Sequence, residues 1–113
     1  MSVEITSLFQ SVGQPTFTTL LADFLAAHGD VNMPDKDGMT LLRHTAACGA
    51  RPGIRMLVAS GKCDYLLTDN KGRYAFELAI EWSRDYAVGR LLSKHQAILA
   101  YQRGVPAYVP RAL

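Results

Sequence analysis

Three histidines, two cysteines and two turn glycines are the residues that first invite a chemical reading. His44 and Cys48 stand four positions apart, which on a helix places them on one face, and a histidine beside a thiol can activate it as a nucleophile. The sequence offers no third group to orient that imidazole, so the pair reads as two neighbours on a helix. His28, His44 and His95, taken together with Cys48 and Cys63, match no recognised zinc spacing. Gly38 and Gly72 are isolated turn glycines rather than parts of a phosphate-binding loop. Cys48 ends one expected helix and Cys63 follows another, and no disulfide between them is expected. These residues point to no catalytic centre, no metal site and no cofactor. The expectation is a protein that is not an enzyme and takes no small-molecule substrate.

The chain has 113 residues, enough for one domain with a core of its own. Hydrophobic residues make up 49% and charged residues 19%, the composition of an ordinary soluble globular protein. A formal net charge of +2 is too small to argue for nucleic acid by itself. No basic residue precedes the first apolar stretch, as a signal peptide would require, and no apolar run approaches the roughly 20 residues of a membrane span. Two cysteines do not make a disulfide framework. A cytoplasmic location, away from membranes, is the expectation. The charge is unevenly spread: residues 1–35 hold Glu4, Asp23, Asp30 and Asp35 and no Lys or Arg, whereas Lys94, Arg103 and Arg111 close the chain with no acid. Such a gradient serves solubility or steers a partner.

What would position any functional side chain is a repeated unit. Asp35-Lys36-Asp37-Gly38-Met39-Thr40-Leu41-Leu42 is followed 34 residues later by Asp69-Asn70-Lys71-Gly72-Arg73-Tyr74-Ala75-Phe76. In both, Asp bonds its own backbone and Gly supplies the positive φ of a turn, and an apolar helical pattern then begins. Thr40 is placed to cap the first helix, which should end near Gly49. Pro52 suits the start of a second helix, with Ile54, Leu57 and Val58 as its stripe and Gly61 as its stop. In the next unit Ser83 can cap a helix whose stripe is Ala87, Val88, Leu91 and Leu92. Before these, Val3, Ile5, Leu8, Phe9 and Val12 suggest a short helix broken by Gly13-Gln14-Pro15. Phe17, Leu20, Leu21, Phe24 and Leu25 suggest another, closed by His28-Gly29. After Lys94, Ile98, Leu99 and Tyr101 suggest one more helical segment, stopped at Gly104. The two prolines of Val105-Pro106-Ala107-Tyr108-Val109-Pro110 favour an extended tail, either docked on the last unit or free for another protein to grip.

This pattern resembles the ankyrin repeat, whose motif runs Asp-x-x-Gly-x-Thr-Pro-Leu-His-x-Ala-Ala, then a second helix and Gly-Ala-Asp-Val-Asn. Residues 35–68 carry it at Asp35, Gly38, Thr40, Leu42, Ala46, Gly49, Ile54, Leu57 and Gly61; residues 69–94 carry it at Asp69, Gly72, Ala79, Val88 and Leu91. His28-Gly29-Asp30-Val31-Asn32 is close to the family's closing element. The resemblance implies an all-α, ankyrin-type α-solenoid of stacked helix-turn-helix repeats with hairpin-like loops. It would span residues 1–104 in units 3–34, 35–68 and 69–103, with an extended tail at 105–113. The sequence departs from the family at Thr40-Leu41-Leu42-Arg43 and Tyr74-Ala75-Phe76-Glu77, where the family histidine is missing. An Arg43–Glu77 salt bridge between adjacent units is the expected replacement. One residue is missing after Gly29 and one is added after Gly61, which should make those hairpins irregular.

The resemblance further implies a function: binding another protein through the loop tips and the first helix of each repeat. The matching positions are Lys36, Asp37 and Met39 in one unit and Asn70, Lys71, Arg73, Glu81 and Trp82 in the next, flanked by Pro34, Ala47, Cys48 and Thr68. Trp82, the only tryptophan, is either an exposed hot spot, with Met39 and Tyr74 beside it, or capping core beneath the segment of Tyr101, Tyr108 and Val109. An adaptor and a dedicated inhibitor of a partner enzyme, of the immunity or antitoxin kind, are both compatible with this reading. Nucleic-acid binding through the basic C-terminal side is the alternative from another class. Short stacks depend on their end units. Removing the residues after Lys94 should therefore lower the melting temperature sharply, and an unchanged melting curve for the truncated chain counts against a stack.

Overall fold

The computed structural model describes residues 4–106. Among these, six α-helices and no strand form: α1 (Ile5–Ser11), α2 (Phe17–Ala26), α3 (Leu41–Cys48), α4 (Arg51–Ser60), α5 (Ala75–Glu81) and α6 (Tyr86–Arg103). They pair in order, α1 on α2, α3 on α4 and α5 on α6. The pairs join through a row of first helices, α1 against α3 and α3 against α5, while α2 lies along α4 on the other side. Val3 and residues 107–113, including Tyr108, Val109 and Arg111 of the expected tail, lie outside the described residues.

The apolar stripes explain this order. Leu8, Phe17, Leu21, Leu41, Ala46, Ile54, Leu57, Leu78, Ala79 and Leu92 are all buried, and each helix contributes only part of a core that its neighbours complete. Small residues set the spacing. A Cβ on Gly53 would come within 2.5 Å of the Phe17 ring, and one on Gly29 within 2.4 Å of the Phe24 ring. Gly29 is therefore needed for close approach rather than to close α2, since the positive φ after that helix belongs to His28, at 60°.

Bonds at about the spacing of one unit tie the pairs together. Arg51 donates Nε and Nη2 to Asp85 at 2.7 and 2.8 Å, and Ser83 Oγ donates to the Ala46 carbonyl at 2.9 Å. Asn32 donates Nδ2 to the Lys62 carbonyl and accepts from the Asp64 N–H, at 2.9 and 2.8 Å. The segments after Gly29 and Gly61 also share one turn form, in which Asp30 accepts from the Asn32 N–H and Asp64 from the Leu66 N–H. The missing and added residues do not disturb it.

Several sequence expectations need correction. The segment after Lys94 is not a separate helix: α6 runs unbroken through Lys94 to Arg103, because nothing between Tyr86 and Gly104 forces a turn. Asp85 caps α6, accepting from the Val88 N–H at 3.2 Å, while Ser83 bonds the carbonyls of Ala46 and Ala79 instead. Val88, Leu92, Gln96 and Ala100 form the buried stripe of α6, and Ala87 and Leu91 are exposed. Arg43 and Glu77 do not pair. The Arg43 guanidinium turns to the Gly38 carbonyl of its own unit, and the Glu77 carboxylate accepts the Tyr74 N–H at 3.0 Å, tying the start of α5. Both side chains are buried and each bonds a backbone group close by in the chain, although the Arg43 Nε, itself buried, meets no hydrogen-bond partner among the described residues. Burial pulls Arg43 below the ordinary arginine value against the attraction of Asp69, Asp35 and Asp64.

The contact of Gly53 with Phe17 yields a test. Gly53→Ala gains roughly 1 kcal/mol of helix propensity, but overpacking a buried contact costs about 1–3 kcal/mol. Net destabilisation in urea unfolding is expected; a stabilised variant would show that the α2–α4 contact is loose.

Candidate protein-binding groove

Both Asp-x-x-Gly turns fold around their aspartate. Asp35 Oδ1 accepts the N–H groups of Asp37 and Met39, both at 2.9 Å, and Asp69 Oδ1 accepts those of Lys71 and Arg73 at 2.9 and 3.0 Å. Gly38 and Gly72 supply φ of 76° and 74°, values that favour glycine. The second carboxylate oxygen is braced differently in the two turns. His44 Nε2 lies 2.8 Å from Asp35 Oδ2, whereas Arg73 Nε donates to Asp69 Oδ2 at 2.8 Å. The tips then lock to each other: the Asn70 N–H donates to the Asp37 carbonyl at 3.2 Å and its side-chain amide to the Lys36 carbonyl at 3.3 Å.

These bonds hold open a groove of about 310 Å³, floored by Met39, Ala47 and Leu78 and walled by Asp37, Asn70, Lys71, Arg73 and Trp82. Six of the eight positions expected to meet a partner line it: Asp37, Met39, Asn70, Lys71, Arg73 and Trp82. Lys36 and Glu81 are exposed but outside it. Trp82 is 63% exposed at the end of α5, so it is not core. The Arg73 guanidinium carbon sits 5.6 Å from its ring centroid, a cation–π contact that holds one side of the indole. Tyr74 does not join the groove; it is half-buried and stacked on Phe76. Tyr101 is 89% exposed and does not bury Trp82.

Two groove residues escaped the sequence reading as contact groups. Leu78 lies one helical turn before Trp82, a spacing that places it on the same face. Asp69 was legible only as a turn residue; its place at the groove wall follows from its bond to Arg73.

The histidine and cysteine side chains lie outside the groove. His44 is turned to Asp35 and its ring lies 5.2 Å from that of Phe9, so the orienting group absent from the sequence pattern is a turn carboxylate. Cys48 is exposed; Cys63 is buried, and burial with the nearby Asp64 pushes its thiol up to about 12. Among the described residues, no three His, Cys, Asp or Glu side chains gather as a metal site, and no helix is long and apolar enough to cross a membrane.

No protein-family model matches the sequence. The fold is similar to that of a chain in the solved structure of the Bd0816 predatory endopeptidase from Bdellovibrio bacteriovorus in complex with immunity protein Bd3460. The likeness has a TM-score of 0.65 at 25% sequence identity and covers 77% of this chain and 44% of that one. The present chain thus matches less than half the length of its structural neighbour.

The turn carboxylates predict an acid limb of stability. Burial pushes Asp69 up, but the N–H groups of Arg73 and Lys71 and the Arg73 guanidinium outweigh it and hold the carboxyl below its ordinary value. A depressed carboxylate stabilises the fold above the unfolded value, about 3.9, and that stability is lost as pH falls through the folded value. Urea midpoints of the wild type and Asp69→Asn should differ most at pH 6–7 and converge as pH drops below about 4. A difference that does not change with pH would assign the effect of the substitution to packing instead.

Proposed function

We propose that this chain is a short ankyrin-type repeat protein that acts without catalysis, as a dedicated inhibitor binding one partner enzyme through the Trp82 groove. The observation that carries the inhibitor reading is the likeness to a chain from a complex of an endopeptidase with an immunity protein. The repeat reading is supported by bonds that join equivalent places 34 residues apart, Asn70 to Lys36 and Arg51 to Asp85.

The groove suits such a role physically. Its walls are fixed by hydrogen bonds before any partner arrives, so little ordering cost falls on binding. Trp82 supplies a large rigid contact, and tryptophan is enriched among the few residues that dominate interfaces. Lys71 and Asp37 stand exposed at the rim and would set orientation and rate of encounter more than strength. Asp69 and Arg73 neutralise each other within the wall.

An affinity pull-down from native lysate tests the reading. The wild type should capture one protein in stoichiometric amount, and that protein should be an enzyme whose activity falls when the complex forms. Trp82→Ala, which removes an exposed side chain, should weaken capture about 30-fold or more, since a hot spot contributes roughly 2 kcal/mol or more. Several weakly held partners would make the chain an adaptor. A partner retained equally by folded Trp82→Ala would move the binding surface elsewhere, and capture of nucleic acid alone would overturn the protein-binding reading.

A further inference from the structure

The second helices are not packed alike. α2 lies along α4, but α6 does not come up to α4 in the same way, and a cleft remains between them. It opens as a hollow of about 170 Å³ between Ile54 and Arg55 of α4 and Ala87, Val88 and Leu91 of α6, and again, of about 230 Å³, between Val58 and Tyr65 on one side and His95 and Ile98 on the other. Ile54 and Val88 are buried at its floor, while Leu91 and Ile98 remain 37% and 43% exposed. Leu91 and Ile98 are seven residues apart, two helical turns or about 10 Å along one line of α6. That is the spacing at which a helix laid alongside would present its own apolar side chains. The Tyr65 and His95 rings, stacked with centroids 5.1 Å apart, wall the far end. None of these residues belongs to the Trp82 groove.

Charge says what fits. The two carboxylates along the cleft are already taken: Asp85 by Arg51 at the near end, and Asp64 by Arg103 at 3.1 Å at the far end. Arg55 on the rim, Lys62 beside Gly61, and Lys94, which follows Leu91 by one turn of α6 on the side turned to Phe76 and Ile80, are exposed and form no ion pair among the described residues. Among the described residues, an apolar floor is thus bordered by surplus positive charge, with no free carboxylate to offset it.

We propose that the α4–α6 cleft is a second docking site, which takes an acidic amphipathic helix of a partner protein with its apolar face on Leu91 and Ile98 and its carboxylates toward Arg55, Lys62 and Lys94. This site stands independently of the Trp82 groove and of the inhibitor reading. Binding there weakens as salt rises, because the rim charges are solvent-exposed. The partner helix contributes what the α4–α6 contact lacks, a full apolar neighbour for α6.

The test uses the full chain, ¹⁵N-labelled, and a capped model peptide of leucine and glutamate with leucines at helical i, i+3, i+7 and i+10 spacing. The peptide should shift the resonances of Tyr65, Leu91, His95 and Ile98 in a saturable way. The charge-reversed pair Arg55→Glu and Lys94→Glu should weaken binding at least tenfold, Leu91→Asp should abolish it, and Trp82→Ala should leave it unchanged. All four positions are exposed, and each variant is checked to keep the wild-type amide spectrum. Absence of saturable binding overturns the proposal, as do shifts confined to the Trp82 groove or equal binding of the same peptide with lysine in place of glutamate. Displacement of the peptide by short duplex DNA that shifts the same residues would reassign the cleft to nucleic acid. Self-association removed by Leu91→Asp would reassign it to a second copy of the chain.

Discussion

A carboxylate at the centre of each loop tip is the constraint on which the rest of the structure depends. Asp69 accepts three N–H donors while almost fully buried, and a charge so placed is stable only when its hydrogen bonds are complete. Completing them dictates the course of the chain. Lys71 and Arg73 must turn their amides inward, Gly72 must take a positive φ, and α5 must begin where the turn releases the backbone. The same logic at Asp35 sets the start of α3. Because the two turns are alike, their tips meet edge to edge through Asn70, and the helices behind them are brought into a row. The groove is a by-product of that docking, and its shape is held by backbone geometry rather than by the side chains that would meet a partner.

The parts of the molecule legible in the sequence are those governed by local chemistry. The Asp-x-x-Gly turns, the Gly49, Gly61 and Gly104 stops and the break at Gly13-Gln14-Pro15 all follow from φ preferences and self-bonding side chains, and each lies where the pattern places it. Less legible were choices between partners several residues or a whole unit away. Arg43 and Glu77 looked like a pair because they occupy equivalent positions. Each found a backbone group within five residues, and a local bond needs no distant element to be in place. Ser83 looked like a cap by type, yet Asp85 two residues on holds the role and is itself fixed by Arg51. Most groove positions, though not Leu78 and Asp69, were readable because loop tips and the exposed ends of first helices carry side chains that the core does not use. The α4–α6 cleft was not readable: a stripe of Ala87, Val88, Leu91 and Leu92 gives no sign that half of it stays in solvent.

The two faces differ in how they are built. The Trp82 groove is walled by loops tied at many points, with its charge mostly neutralised internally. The α4–α6 cleft is a gap between two helices, with unneutralised charge on its rim. A preformed, nearly neutral groove favours fit as the source of selectivity; a charged cleft favours attraction at a distance. A chain this small can therefore present two surfaces of different character without either disturbing the other.

The position of the tryptophan has a practical side. It is the chain's only one, it stands in solvent, and a guanidinium rests over its ring. Its emission therefore reports on the groove alone, with no contribution from a buried indole elsewhere. Any molecule that covers the ring or draws Arg73 away changes the colour or yield of that light. The native protein thus carries its own optical gauge of occupancy, and traffic at the groove can be followed in real time without a dye or a tag.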